Sequence, residues 1–163
     1  MAGKNKFSTT WYVLNFAGLF LFASALSSCD RGASQEVGVA RKFADAVAKN
    51  DATARDSMIA TYKFKDFFTN PYVAHDVQTW FRSFYDPKAG KFLSTATADV
   101  DRDLTKDVEG GLIDTGKIEE TGMVKVKSPN SGEDGAYFWM VHQAGKPWKV
   151  AMVTKGESQV DFR

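Results

Sequence analysis

The sequence predicts an α+β domain, with helices first and an antiparallel sheet after. Apolar residues recur at spacings of three and four between Val37 and Phe84, and beyond Gly90 the period shifts toward two. The chain then closes on two apolar runs, 136–142 and 148–154, separated by the turn Gln143-Ala144-Gly145-Lys146, which is a hairpin pattern. Helices segregated from strands along the chain pack as a helical layer on one sheet. A chain of 163 residues holds one such domain, with room for a leader and a tail.

The leader comes first. Met1 to Lys6 is short and positive through Lys4 and Lys6, and residues 11–26, WYVLNFAGLFLFASAL, carry no charge. Sixteen residues fall short of the roughly 20 that span a bilayer as a helix. They match instead the positive, apolar, small-residue order of a secretory signal, with Ala23, Ser24, Ala25, Ser27 and Ser28 as the small residues. Residues 29–35 then read as a short polar tether.

The domain proper is expected over 36–154. Ser34 as cap and Glu36 in the first turn open a helix over about 35–49, with Val37, Ala40, Phe43, Ala44 and Val47 on its apolar face. Lys49-Asn50 ends it, and Asp51 caps a shorter helix whose apolar side is Ala54, Met58, Ile59 and Tyr62. Residues 62–68, YKFKDFF, look strand-like in part. Asn70-Pro71 provides a cap and first helical position, and Val73, Val77, Trp80, Phe81 and Phe84 form the strongest helical stripe, stopped by Asp86-Pro87.

Residues 92–100 read as a strand of low β-propensity, Gly110-Gly111 as a turn, and 118–127 as a strand with clear alternation at its end. Residues 128–135, SPNSGEDG, are a loop, the terminal hairpin follows, and 155–163 read as a polar tail.

Leu26-Ser27-Ser28-Cys29 resembles the lipobox of bacterial lipoproteins, an aliphatic and two small residues before a cysteine. The resemblance implies a diacylglycerol on the Cys29 thiol, removal of residues 1–28, and recognition of Leu26, Ser27 and Ser28 by the signal peptidase. Asp30, following the cysteine, resembles an inner-membrane retention signal. It favours the inner over the outer membrane in a two-membrane envelope, with the domain facing the periplasm or exterior. Cys29 is the chain's single cysteine, which excludes an intrachain disulfide and a multi-cysteine zinc site.

The region from about 35 to 154 resembles the cone-shaped, cystatin-like fold of nuclear transport factor two and the polyketide-cyclase-like proteins. The likeness rests on the opening helix VGVARKFADAVAKNDATA and the closing GKPWKVAMV. It implies a curved antiparallel sheet wrapped on helices, a concave pocket between them, and many hosted functions.

The candidate chemistry is sparse. Asp99, Asp101 and Asp103 form a D-x-D-x-D run. Counted as an EF-hand loop it has Leu104 where glycine is needed and Gly110 where the bidentate glutamate belongs, so a solvated charge run is the better reading. No metal or cofactor is expected. His75 lies off the apolar stripe of its helix, beside Asp76. Tyr62, Trp80, Tyr137, Trp139 and His142 are the candidates to line an apolar pocket. Serine-nucleophile and phosphate-loop motifs are absent. Basic and acidic residues balance to +1, which gives no basic face for nucleic acid.

The expectation is a membrane-anchored envelope lipoprotein whose domain binds or assembles rather than catalyses. Its partners would be the membrane through Cys29, and an envelope protein or a small apolar ligand. The competing expectation is a small-molecule enzyme of the polyketide-cyclase or isomerase type, needing a cavity with two convergent polar groups drawn from His142, Asp66 and Tyr137.

Overall fold

The structure, a computed structural model, describes residues 28–99, 103–130 and 134–156. Four helices come first: α1 (Ser28–Lys49), α2 (Ala52–Ser57), α3 (Tyr62–Phe67) and α4 (Pro71–Arg82). A small hairpin of β1 (Tyr85–Asp86) and β2 (Lys91–Phe92) leads to β3 (Ala96–Asp99). Next comes α5 (Thr105–Val108), running into the 3-10 turn Glu109–Gly111. The strands β4 (Ile118–Lys127), β5 (Asp134–Gln143) and β6 (Lys149–Thr154) finish the described chain. The fold is α+β, with helices followed by a curved antiparallel sheet of order β3-β4-β5-β6.

The helix boundaries follow from local chemistry. α1 ends in a left-handed residue, Asn50, with Asp51 N–H donating to the Ala46 carbonyl and Asn50 N–H to that of Val47, a Schellman closure. Asp51 accepts from Ala54 N–H at 3.0 Å and so opens α2. Asn70 accepts from Tyr72 N–H at 3.0 Å, with Pro71 at the first helical position of α4.

Three expectations are corrected. α1 opens at Ser28, ahead of the start expected at about 35, so Ser34 sits inside the helix instead of capping it. The aromatic segment 62–68 is helix α3, because Thr61 Oγ1 accepts from Phe64 N–H and the Thr61 carbonyl accepts from Lys65 N–H. The strand expected over 92–100 is broken into β2 and β3 by the bend between them, and Val100 lies outside the described residues. The strand over 118–127 and the closing hairpin lie where the alternation put them.

Both faces of the sheet are covered, and alternate residues serve each. Val124, Val126, Ala136, Phe138, Met140 and Val150 face the helices, packing with Ala40, Phe43, Ala44, Val47, Phe64, Phe81 and Phe84. Met123, Tyr137, Trp139, Val141 and Ala151 face the other way, under Leu104 and Val108 of the α5 segment. Phe138 makes ring contacts with Phe43, Phe81, Phe84 and Phe92 at centroid distances of 6.4, 5.9, 6.3 and 6.0 Å, so aromatic rings fill the space between helices and sheet. Arg82 locks α4 to the end of α1 by donating from Nε and Nη2 to the Ala48 carbonyl at 3.0 and 2.7 Å. Among the described residues no helix is long and apolar enough to cross a membrane.

Candidate functional site

The apolar face of α4 is wider than the core needs. Phe81 is fully buried, while Val73, Val77 and Trp80 beside it keep part of their surface open. Because α3 lies alongside and β6 ends nearby, these three side chains wall a groove with Phe64, Phe67, Val153 and Lys155. Its volume is about 400 Å³. Phe67 stands at the rim, 48% exposed. Two charges edge the groove: Asp76 from α4, and Lys155, whose Nζ lies 5.6 Å from the centre of the Trp80 ring. An apolar floor with one cation over an aromatic ring suits an elongated apolar molecule bearing an anionic group.

A second depression, between α1, α2 and β1, is polar. Arg41, Lys42, Asp45, Lys49, Asp51 and Tyr85 line it. Asp45 there accepts from Lys49 at 2.9 Å and from the Tyr85 hydroxyl at 3.0 Å. Burial, and then Asp45, hold the Tyr85 phenol above its ordinary range.

A third place carries unusual polar groups, at the end of the sheet's helical face. Glu36 is wholly buried, with neither carboxyl oxygen hydrogen-bonded. Burial, with Glu120 and Asp99 adding negative charge, pushes its carboxyl from 4.5 up to about 8. His142 stands across the β4–β5 ladder from Glu120 and stacks on Trp148 at 5.3 Å. Its Nδ1 is buried without a hydrogen-bond partner, 3.6 Å from a Glu119 oxygen. Asp114, close by, is held below the usual carboxylate range by the Lys149 ammonium at 3.0 Å.

The five residues expected to line one pocket are separated. Trp80 walls the α3–α4 groove, and Tyr62 points to solvent, 57% exposed. Tyr137 and Trp139 are buried on the opposite face of the sheet, where Trp139 Nε1 donates to Thr154. His142 belongs to the helical face at the sheet's end. The three groups named for acid–base chemistry do not converge either, since Asp66 is exposed on α3 and Tyr137 and His142 face opposite ways.

His75 is exposed, off the apolar stripe of α4. Of the aspartate run, Asp101 lies outside the described residues, and Asp103 spends an oxygen on Thr105 N–H at 3.0 Å. Among the described residues no group of three or more potential ligands could hold a metal ion. Leu26 and Ser27 lie outside the described residues, and Ser28, Cys29 and Asp30 are the first three of α1.

Sequence reasoning missed Glu36 and most of the groove. The apolar stripe Val73, Val77, Trp80 and Phe81 of α4, continued by Phe84, signalled more apolar surface than one core contact uses, and Gly122 inside a strand signalled a close approach from another element. No protein-family model matches the chain, and no match is found among the curated proteins or the solved structures.

Proposed function

We propose that this chain is a bacterial envelope lipoprotein, held by lipid on Cys29, whose domain binds a small apolar ligand in the groove between α3, α4 and the end of β6. The lipobox resemblance supports the anchor. Each acyl CH₂ buried contributes about 0.8 kcal/mol, so two or three chains hold such a domain stably on a membrane. Asp30 favours the inner membrane. The helical layer on a curved four-stranded sheet supports kinship with the cone-shaped fold of nuclear transport factor two.

The groove is the observation that carries the binding role. Four aromatic and three aliphatic or valine-type walls would be wasted on a surface with no apolar occupant, and Lys155 adds a contact for an acidic head group. The dye 1-anilinonaphthalene-8-sulfonate, apolar with one sulfonate, is the matching probe. It is expected to bind saturably, one per chain, and Val77→Asp is expected to weaken it at least tenfold with the circular dichroism unchanged. Leu93→Asp, an exposed apolar residue outside the groove, is the control and leaves binding intact. Equal binding in the two variants overturns the assignment.

One observation favours the second reading, a small-molecule enzyme. Glu36 and His142 lie on the same face of the sheet, each with a buried polar atom lacking a partner. Against it stands the aromatic packing that fills the adjacent interior.

A further inference from the structure

Glu36 is held where a carboxylate is least at home. It is out of solvent, and the room for it exists because residue 122 has no side chain. A β-carbon on Gly122 would collide with Glu36 Oε1 and come within 3.2 Å of the Asp99 carbonyl oxygen. The charged groups that face it are acidic, Glu120 from β4 and Asp99 from β3. On β5, His142 stands opposite Glu120 with Nδ1 toward Glu119. Arg41 and Lys42, the next cations along α1, line the polar depression beside α2. Among the described residues no hydrogen-bond donor reaches either oxygen.

Within the part of α1 whose side chains are described, the second half, residues 40–48, is fastened more firmly than the first, 35–39. The second half buries Ala40, Phe43, Ala44, Val47 and Ala48 completely or nearly so. Arg82 and Gln78 tie the Ala48 carbonyl to α4, and Tyr85 ties Asp45 to β1. Over 35–39, the stretch before Ala40 whose side chains are described, the helix has the partly buried Val37 and Val39, and Glu36 itself. Gly38 lies near the junction of the halves with nothing within 4 Å of where its β-carbon would be, a helix-interior glycine that packing does not require.

We propose that Glu36 is a proton-operated clasp: with the proton on, its carboxyl sits in the Gly122 niche and holds the first half of α1 on β3 and β4. With the proton lost to solvent, that half lifts and the second half stays. A buried, unpaired carboxylate facing two acids is disfavoured in the docked position, whereas a lifted one is hydrated. The device depends on the helix and sheet alone, whether or not Cys29 carries lipid.

Hydrogen–deuterium exchange of the full chain in detergent micelles tests it, as protection factors corrected for intrinsic exchange. With the carboxyl at about 8 when docked and 4.5 when free, lifting becomes about 50-fold more favourable between pH 6 and 8. Protection over 33–39 is therefore expected to lie below that over 41–49 and to fall about 50-fold across that range. Glu36→Gln abolishes the fall, and Glu120→Gln, at an exposed position, makes it smaller. Two results overturn the clasp. One is a fall that persists in Glu36→Gln; the other is equal protection in the two halves at every pH, the mark of whole-domain unfolding alone.

Discussion

Replacing Glu36 with glutamine removes a titration that burial imposes on the fold, and the size of the effect follows from its surroundings. The carboxyl stands at about 8 in the folded chain against 4.5 as its ordinary value. Between those values the folded state holds a proton that the unfolded state has released. Stability therefore falls as pH rises, by about 1.4 kcal/mol per pH unit in mid-range, and levels off above the folded value. From pH 5.5 to 7.5 the loss is about 2.5 kcal/mol, or roughly 10 °C in Tm for a domain of this size. The depressed aspartates, Asp86, Asp103 and Asp114, act with the opposite sign and below pH 4, outside this window. Urea melts at pH 5.5, 6.5 and 7.5 supply the measurement. The wild-type midpoint is expected to drop steadily while that of Glu36→Gln stays level. Parallel slopes in the two proteins would refute the burial argument, because the glutamine cannot titrate.

Other substitutions probe the rest of the fold. Phe43→Ala removes ring contacts to Phe64, Phe68, Phe81 and Phe138 and should lower stability by about 3–5 kcal/mol in denaturant melts. Gly122→Ala drives a methyl into the Glu36 carboxyl and should destabilise by about 1–3 kcal/mol; in Glu36→Ala the same change should be milder, and a double-mutant cycle reads the coupling. Arg82→Met keeps the stem but removes both charged donors to the Ala48 carbonyl, for an expected loss of about 1–3 kcal/mol by the same melts.

The elements with local punctuation were legible in the sequence. Asn70-Pro71 set the start of α4, Asp51 the start of α2, and Gly145, at φ 70°, the closing turn. The failures share a physical cause, tertiary contacts that override a local pattern. Tyr62 and Phe64 alternate with lysines as a strand would, yet Thr61, itself tied to the Ala151 carbonyl at 2.7 Å, starts a helix there. Glu36 reads as a first-turn acid suited to a helix N-terminus. The helix instead starts at Ser28, so Glu36 falls inside it and turns toward Gly122. The five aromatics expected in one pocket were separated because the α5 segment covers the second face of the sheet. That cover leaves Tyr137 and Trp139 buried where period two alone would have left one face open. In the stretch 103–111 the local sign of such a cover is one apolar pair, Leu104 and Val108, four residues apart.

The most direct test of the proposed role begins at its anchor. Intact-mass analysis of the chain extracted from its native membrane is expected to find a protein that starts at Cys29 and carries acyl chains. Cys29→Ser should abolish both the cleavage and the added mass. A wild-type chain recovered with a different first residue and a free Cys29 thiol would contradict lipid anchoring, and with it the placement of the groove at a membrane surface.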